Sequence, residues 1–190
     1  MNIARALLIG HAAALAFALG GMLIALPHPE LRSSSPLGVQ AFAFGMQSAG
    51  PLRMVLGAAA MFAFRGATLG WRRTTLFFGL ACGLSLAPEL IGTGTGYPFG
   101  NYKYTTGLGY KVLGRVPFSI PLSWFYMAWL HCSWGAHWRR VWSVILGAYF
   151  LTVWDLVLDP AMAHPSLALT FWVWHQSGPY FGKPIQNFVG

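Results

Sequence analysis

Charge is what this sequence has least of. Only 8% of its 190 residues are charged, and only four of those are acidic. Soluble domains carry roughly 25%. A water-soluble fold could not cover its surface with so few charges, so that class is excluded. There are two cysteines, Cys82 and Cys132, both inside apolar runs; they read as small packed residues and exclude a disulfide framework. No P-loop is present, nor a G-x-G-x-x-G between a strand and a helix. The apolar spans contain no lysine, which excludes a retinal Schiff base. The net charge of +8 comes from single or paired basic residues between apolar runs, a pattern of membrane-flanking anchors rather than of a nucleic-acid surface.

What is present is apolar and aromatic: 56% hydrophobic residues, 16% of the chain aromatic. The fold class this predicts is all-α, a polytopic transmembrane helix bundle in a single domain over 1–190. About five spans are expected. The first is Ala6–Leu26. The second is a kinked segment Leu37–Phe64, broken by Gly50-Pro51 and Arg53. The others are Thr74–Ile91, Phe118–Trp138 and Val141–Leu158. Leu167–His175 is too short to span and reads as an interfacial or re-entrant piece, with Trp172 and Trp174 at headgroup level. His11, inside the first span, reads as a packed or lipid-shielded imidazole, with a proton carrier as the alternative. Arg53 is balanced between a snorkelling side chain and a partner for a buried carboxylate.

Three of the four acids fall at span ends. Glu89 lies near the end of the third span, Asp155 and Asp159 at the end of the fifth. One crossing separates these two helices, so they run in the same direction and their acids share one membrane depth. Asp155 and Asp159 are four apart and therefore share a helix face. Ionisable side chains in a membrane are costly and are functional candidates. Carboxyl groups buried near one another do not all ionise, so at least one is expected to hold its proton beside an ionised partner. Glu89, Asp155 and Asp159 are thus the expected catalytic residues. The structural alternative is acids that cap loop amides or pair with Arg115 or Lys111. Counting basic residues in the shorter loops (Arg5, Arg65, Arg72, Arg73, Arg139, Arg140) places the opposite end of the bundle in the cytoplasm.

Around the acids the sequence is rich in rings. Tyr97, Phe99, Tyr102, Tyr104 and Tyr110 lie in the loop after Glu89. Trp124 opens the fourth span, and Trp154, Trp172, Trp174 and Tyr180 surround the second acidic passage. Most are expected to form a membrane belt; a subset facing the acids would stabilise a carbocation through π faces. His131 and His137 do not share a helix face and His164 and His175 flank the last apolar piece; a metal site built from these and the acids is the less favoured alternative.

The strings E-L-I-G-T-x-T-G-Y-P-F-G-N-Y-x-Y, V-P-x-x-I-P-L-x-W, W-D-x-x-L-D-P, W-x-W and G-x-Y-x-G-x-P-x-x-N-F-x-G occur in that order between Glu89 and Gly190. In this the chain resembles a family of bacterial and archaeal carotenoid-biosynthesis membrane proteins that includes carotenoid 1′,2′-hydratases, bisanhydrobacterioruberin hydratase among them. The resemblance implies an enzyme that adds water to the terminal double bond of an acyclic carotenoid. The substrate would be lycopene-like, γ-carotene-like or a bacterioruberin precursor. It also implies no redox cofactor, since hydration is redox-neutral, and no metal is expected. An integral, multi-pass location in a bacterial or archaeal cytoplasmic membrane follows from it. The aromatic residues above, except Tyr110, together with Asn187, would bind the substrate. One of Asp155 and Asp159 would deliver the proton, and Glu89 would orient or deprotonate the water. Alternative functions are a lycopene-cyclase-like enzyme, which also protonates a polyene but excludes water, and a non-catalytic carotenoid or lipid carrier. Family chains run on with a tryptophan and further helices, so this chain is expected to be shortened at its C-terminal end.

Overall fold

The computed structural model describes residues 1–135, 140–164 and 169–189. His137, Trp138, Arg139, Leu167 and Gly190 lie outside them, as do the side chains of His131, Cys132 and Arg140. Helices dominate: α1 (Asn2–Gly20), α2 (Pro29–Ser33), α3 (Pro36–Phe44), α4 (Gly50–Leu69), α5 (Trp71–Thr95), α6 (Ser119–Gly135), α7 (Arg140–Ala163) and α8 (Gln186–Val189). Asn2–Ala25, Pro36–Leu69, Trp71–Thr95 and Val144–Ala163 are long and apolar enough to cross a membrane. The chain is an all-α helical membrane protein. Large side chains such as Ile9, Leu80, Leu84, Val144 and Val157 face outward, as a lipid-covered surface requires.

Local sequence explains the joints. Ser35 caps α3, its Oγ accepting from the Gly38 amide at 3.0 Å, with Pro36 in the first turn. Two π-helical turns widen the backbone, Gly21–Ala25 after α1 and Gly45–Ala49 between α3 and α4. The second lies where Pro51 cannot donate a helical bond, and it keeps Pro36–Leu69 one continuous segment. α5 stops at Gly96, which adopts the left-handed conformation (φ 78°) that glycine tolerates.

Packing follows the membrane rule that small residues admit close helix approach. α1 packs along α4, α4 against α5 and α6, and α6 between α5 and α7. A Cβ on Gly57 of α4 would stand 2.9 Å from the His11 Nδ1, so only glycine fits there.

The loops fold back as two small antiparallel ribbons. β1 (Tyr102–Tyr104) pairs with β4 (Trp172–Trp174), and β2 (Lys111–Val112) with β3 (Val116–Pro117). This corrects the interfacial assignment of Leu167–His175 over its described part, residues 169–175. Phe171 and Trp172 are buried in the core, and Trp174 packs against it. Strand pairing is what satisfies their backbone groups where water is excluded.

Candidate active site

Glu89 follows Pro88 inside α5 and is 8% exposed. Its carboxylate is held by β1. Tyr102 and Tyr104, two apart and so on one face of the strand, both donate their hydroxyls to Oε2, Tyr104 at 2.9 Å. Their rings meet edge-on, with centroids 5.6 Å apart. Burial, and then the charge of Glu89, pushes both phenols well above their usual 10, so they remain O–H donors. Among the described residues nothing donates to Oε1.

Asp159 is also buried, at 6% exposed. Its Oδ1 accepts from the Trp172 indole Nε1 at 3.0 Å, and its Oδ2 from the Asn187 amide. Lys183 comes in beneath it. Sequence reading leaves this lysine in a loop, yet it is 1% exposed, and its Nζ donates to the Ala163 carbonyl at the end of α7 at 2.7 Å. Burial lowers its affinity for its proton and the neighbouring Asp159 opposes that, so Lys183 partly balances the aspartate. Asp155, one turn earlier on α7, accepts no hydrogen bond among the described residues.

Glu89, Asp155 and Asp159 line one cavity of about 480 Å³. Of the rings expected there, Phe99, Tyr102, Tyr104, Trp124, Trp154, Trp172 and Trp174 line it, and so does Asn187. The Trp174 ring lies 4.9 Å from Tyr102, and Trp172 6.1 Å from Tyr104. Two expected residues are elsewhere. Tyr97 is 71% exposed, on the outer side of the loop. Tyr180 donates to the Leu156 carbonyl at 3.0 Å. That carbonyl is the one left without a helical donor by Pro160, so Tyr180 repairs the helix rather than lining the cavity.

Neither Lys111 nor Arg115 reaches the acids: among the described residues no ion pair joins them, and Lys111 donates to the Tyr104 carbonyl at 2.6 Å. Arg53 likewise makes no ion pair with an acid; it lines the cavity with its Nε buried and unbonded.

Sequence reading did not place His11, Tyr126 or Met127 at this cavity, and all three line it. His11 reaches it from α1, its Nδ1–H donating to the Arg53 carbonyl at 2.8 Å, since a carbonyl only accepts. Tyr126 meets the His11 ring edge-on at 6.0 Å, and Met127 lies beside it. The polar signal for His11 was visible as an intramembrane imidazole; its route to the acids needed the α1–α4 packing. The arrangement brings two hydrogen-bonded carboxyl groups, a third carboxyl and several π faces to one cavity.

Residues 49–190 match the family described as carotenoid biosynthesis protein. The chain is 28% identical to a bisanhydrobacterioruberin hydratase of Haloarcula japonica, over 54% of this chain and 35% of that protein. The chain thus aligns with about a third of the relative's length. No solved structure matches it.

Proposed function

The chain belongs to the carotenoid biosynthesis protein family, and on that premise we propose that it hydrates the terminal double bond of an acyclic carotenoid. One observation carries the reading. Three carboxyl groups line a single aromatic cavity, and two of them are committed as hydrogen-bond acceptors while, among the described residues, Asp155 accepts none. Asp155 is therefore the group left to carry a transferable proton. It protonates the less substituted carbon of the terminal alkene. The cation that forms on the neighbouring tertiary carbon is held by the faces of Trp172, Trp174 and Trp124 and by the charges of Glu89 and Asp159. Water, oriented by Oε1 of Glu89, to which nothing donates among the described residues, adds to the cation, and its surplus proton returns through the carboxylates to Asp155. The product is a tertiary alcohol and the enzyme is restored. Atoms balance with water alone, and no electrons change hands. The substrate is lycopene-like, γ-carotene-like or a bacterioruberin precursor, and the protein works as a single multi-pass domain in a cytoplasmic membrane.

The test is expression in a lycopene-producing host with mass analysis of the pigments. Products heavier by one water are expected for the parent chain and not for Asp155→Asn. Hydration that persists unchanged in Asp155→Asn, Asp159→Asn and Glu89→Gln would overturn the mechanism. A new ring at unchanged mass would instead indicate cyclisation.

A further inference from the structure

A second cavity, of about 450 Å³, adjoins the first. Arg53 and Met162 line both. Phe171 lines the second and its neighbour Trp172 the first, as adjacent residues of an extended chain point to opposite sides. Apart from Arg53, every residue of the second lining is apolar or glycine. Its walls include residues from both π-helical turns: Gly21, Met22 and Ala25 from one, Gly45, Met46 and Ala49 from the other. Such turns widen a helix locally and cluster at functional sites; here two on separate segments open onto one space. Most of this wall precedes residue 49, where the family match begins.

We propose that this chamber holds the polyene of the carotenoid whose end group is hydrated in the acid-lined cavity, and that it selects substrates by chain length. The inference rests on the function proposed above. A long apolar molecule with one end among the acids must pass on somewhere, and the chamber beyond Arg53 and Met162 is apolar, of comparable size and shares that wall. The acids and their donors belong to the family-matched part of the chain, whereas the chamber is built largely from α1, α3 and the turns that follow them. Reaction chemistry and length selection would then reside in separate stretches of sequence.

Gly21 provides the test. It lines the chamber, has helical dihedrals, and a Cβ there would meet nothing within 4 Å. Gly21→Phe therefore fills the space without a backbone clash. Gly79→Phe, at an exposed α5 position with equally open surroundings, is the control. The variants in lipid nanodiscs are given two substrates, a full-length acyclic carotenoid and a short acyclic terpene hydrocarbon with the same end group. Retained pigment is measured by absorbance after purification from the carotenoid-producing host. Gly21→Phe is expected to lose at least about tenfold in turnover of the long substrate, the scale of overpacking a filled site, and to retain less pigment. It should leave the short substrate unaffected, and Gly79→Phe should change neither. Equal effects on both substrates, or unchanged pigment retention, would overturn the chamber; the latter is the result expected of a space filled by lipid chains. If Gly21→Phe does not fold, Ala25→Phe from the same wall answers the same question. If the parent chain hydrates neither substrate, the proposed function fails, and pigment retention alone decides the chamber.

Discussion

Tyr104 and Trp172 face each other across the β1–β4 ribbon, and each donates to a different acid, Tyr104 to Glu89 at 2.9 Å and Trp172 to Asp159 at 3.0 Å. One rung of a three-residue ribbon therefore fixes carboxylates from two helices, α5 and α7. A hydrogen bond to a charged group contributes about 1.5–3 kcal/mol. Trp172→Phe keeps most of the ring and removes the donor. It should lower thermal stability in detergent by an amount in that range and reduce hydration. Because the two donors share the ribbon, Tyr104→Phe and Trp172→Phe together should deviate from additivity by about 0.5 kcal/mol or more. Strict additivity in a double-mutant cycle would mean that the ribbon does not couple the acids.

Asp155→Asn should abolish turnover while leaving pigment bound. Removing a general acid typically costs 10²- to 10⁴-fold, on the order of the loss expected here. Asn is nearly isosteric, and among the described residues it breaks no hydrogen bond. Parallel loss of pigment and activity would make Asp155 a binding residue instead.

The helices, and the convergence of three acids on one cavity, were legible because long apolar runs and a four-residue spacing are local patterns. The ribbon was not read, although Y-K-Y and W-V-W both alternate with the period of a strand. The tryptophan-rich composition of 167–175 suggested a membrane interface, and nothing local says that Trp172 pairs with Tyr104, nearly seventy positions away by numbering. Lys183 was missed for the same reason. A lysine between Gly182 and Pro184 looks solvated until the end of α7 is placed over it. Tyr180 was misread because a tyrosine near acids resembles a wall; its true partner is the carbonyl that Pro160 strands.

That reassignment can be checked. Tyr180→Phe should cost about 1 kcal/mol of stability, the net worth of one hydrogen bond. It should leave the mass and identity of the product unchanged. A changed product distribution would return Tyr180 to the substrate cavity.

Lys183 and Gly178 form one structural unit. A Cβ on Gly178 would run into the Lys183 carbonyl and the Pro184 Cα, both backbone, so the loop would have to move. Lys183→Met would leave the Ala163 carbonyl without its donor and Asp159 without a nearby cation. An unsatisfied buried group costs about 1–3 kcal/mol. Both Gly178→Ala and Lys183→Met should therefore lower the melting temperature, and Lys183→Arg should not restore it, since a wider guanidinium replaces a fully enclosed ammonium. Parent-like melting of Gly178→Ala would show that the loop adapts without loss.

The phenols give the pH dependence. In the folded chain Tyr102 and Tyr104 titrate above the usual 10, because burial and the Glu89 charge oppose phenolate. Above pH 10 the unfolded chain loses these protons while the folded chain keeps them, so the folded state binds more protons and stability falls as pH rises. Below pH 10 both states are protonated and the contribution is constant. The slope above pH 10 approaches about 1.4 kcal/mol per pH unit for each phenol. Chemical denaturation in nanodiscs across this range should show the fall. It should be shallower by about one proton in Tyr102→Phe, and by about one more in the double variant with Tyr104→Phe. An identical slope in the parent and double-variant proteins would mean that neither phenol is held protonated against Glu89.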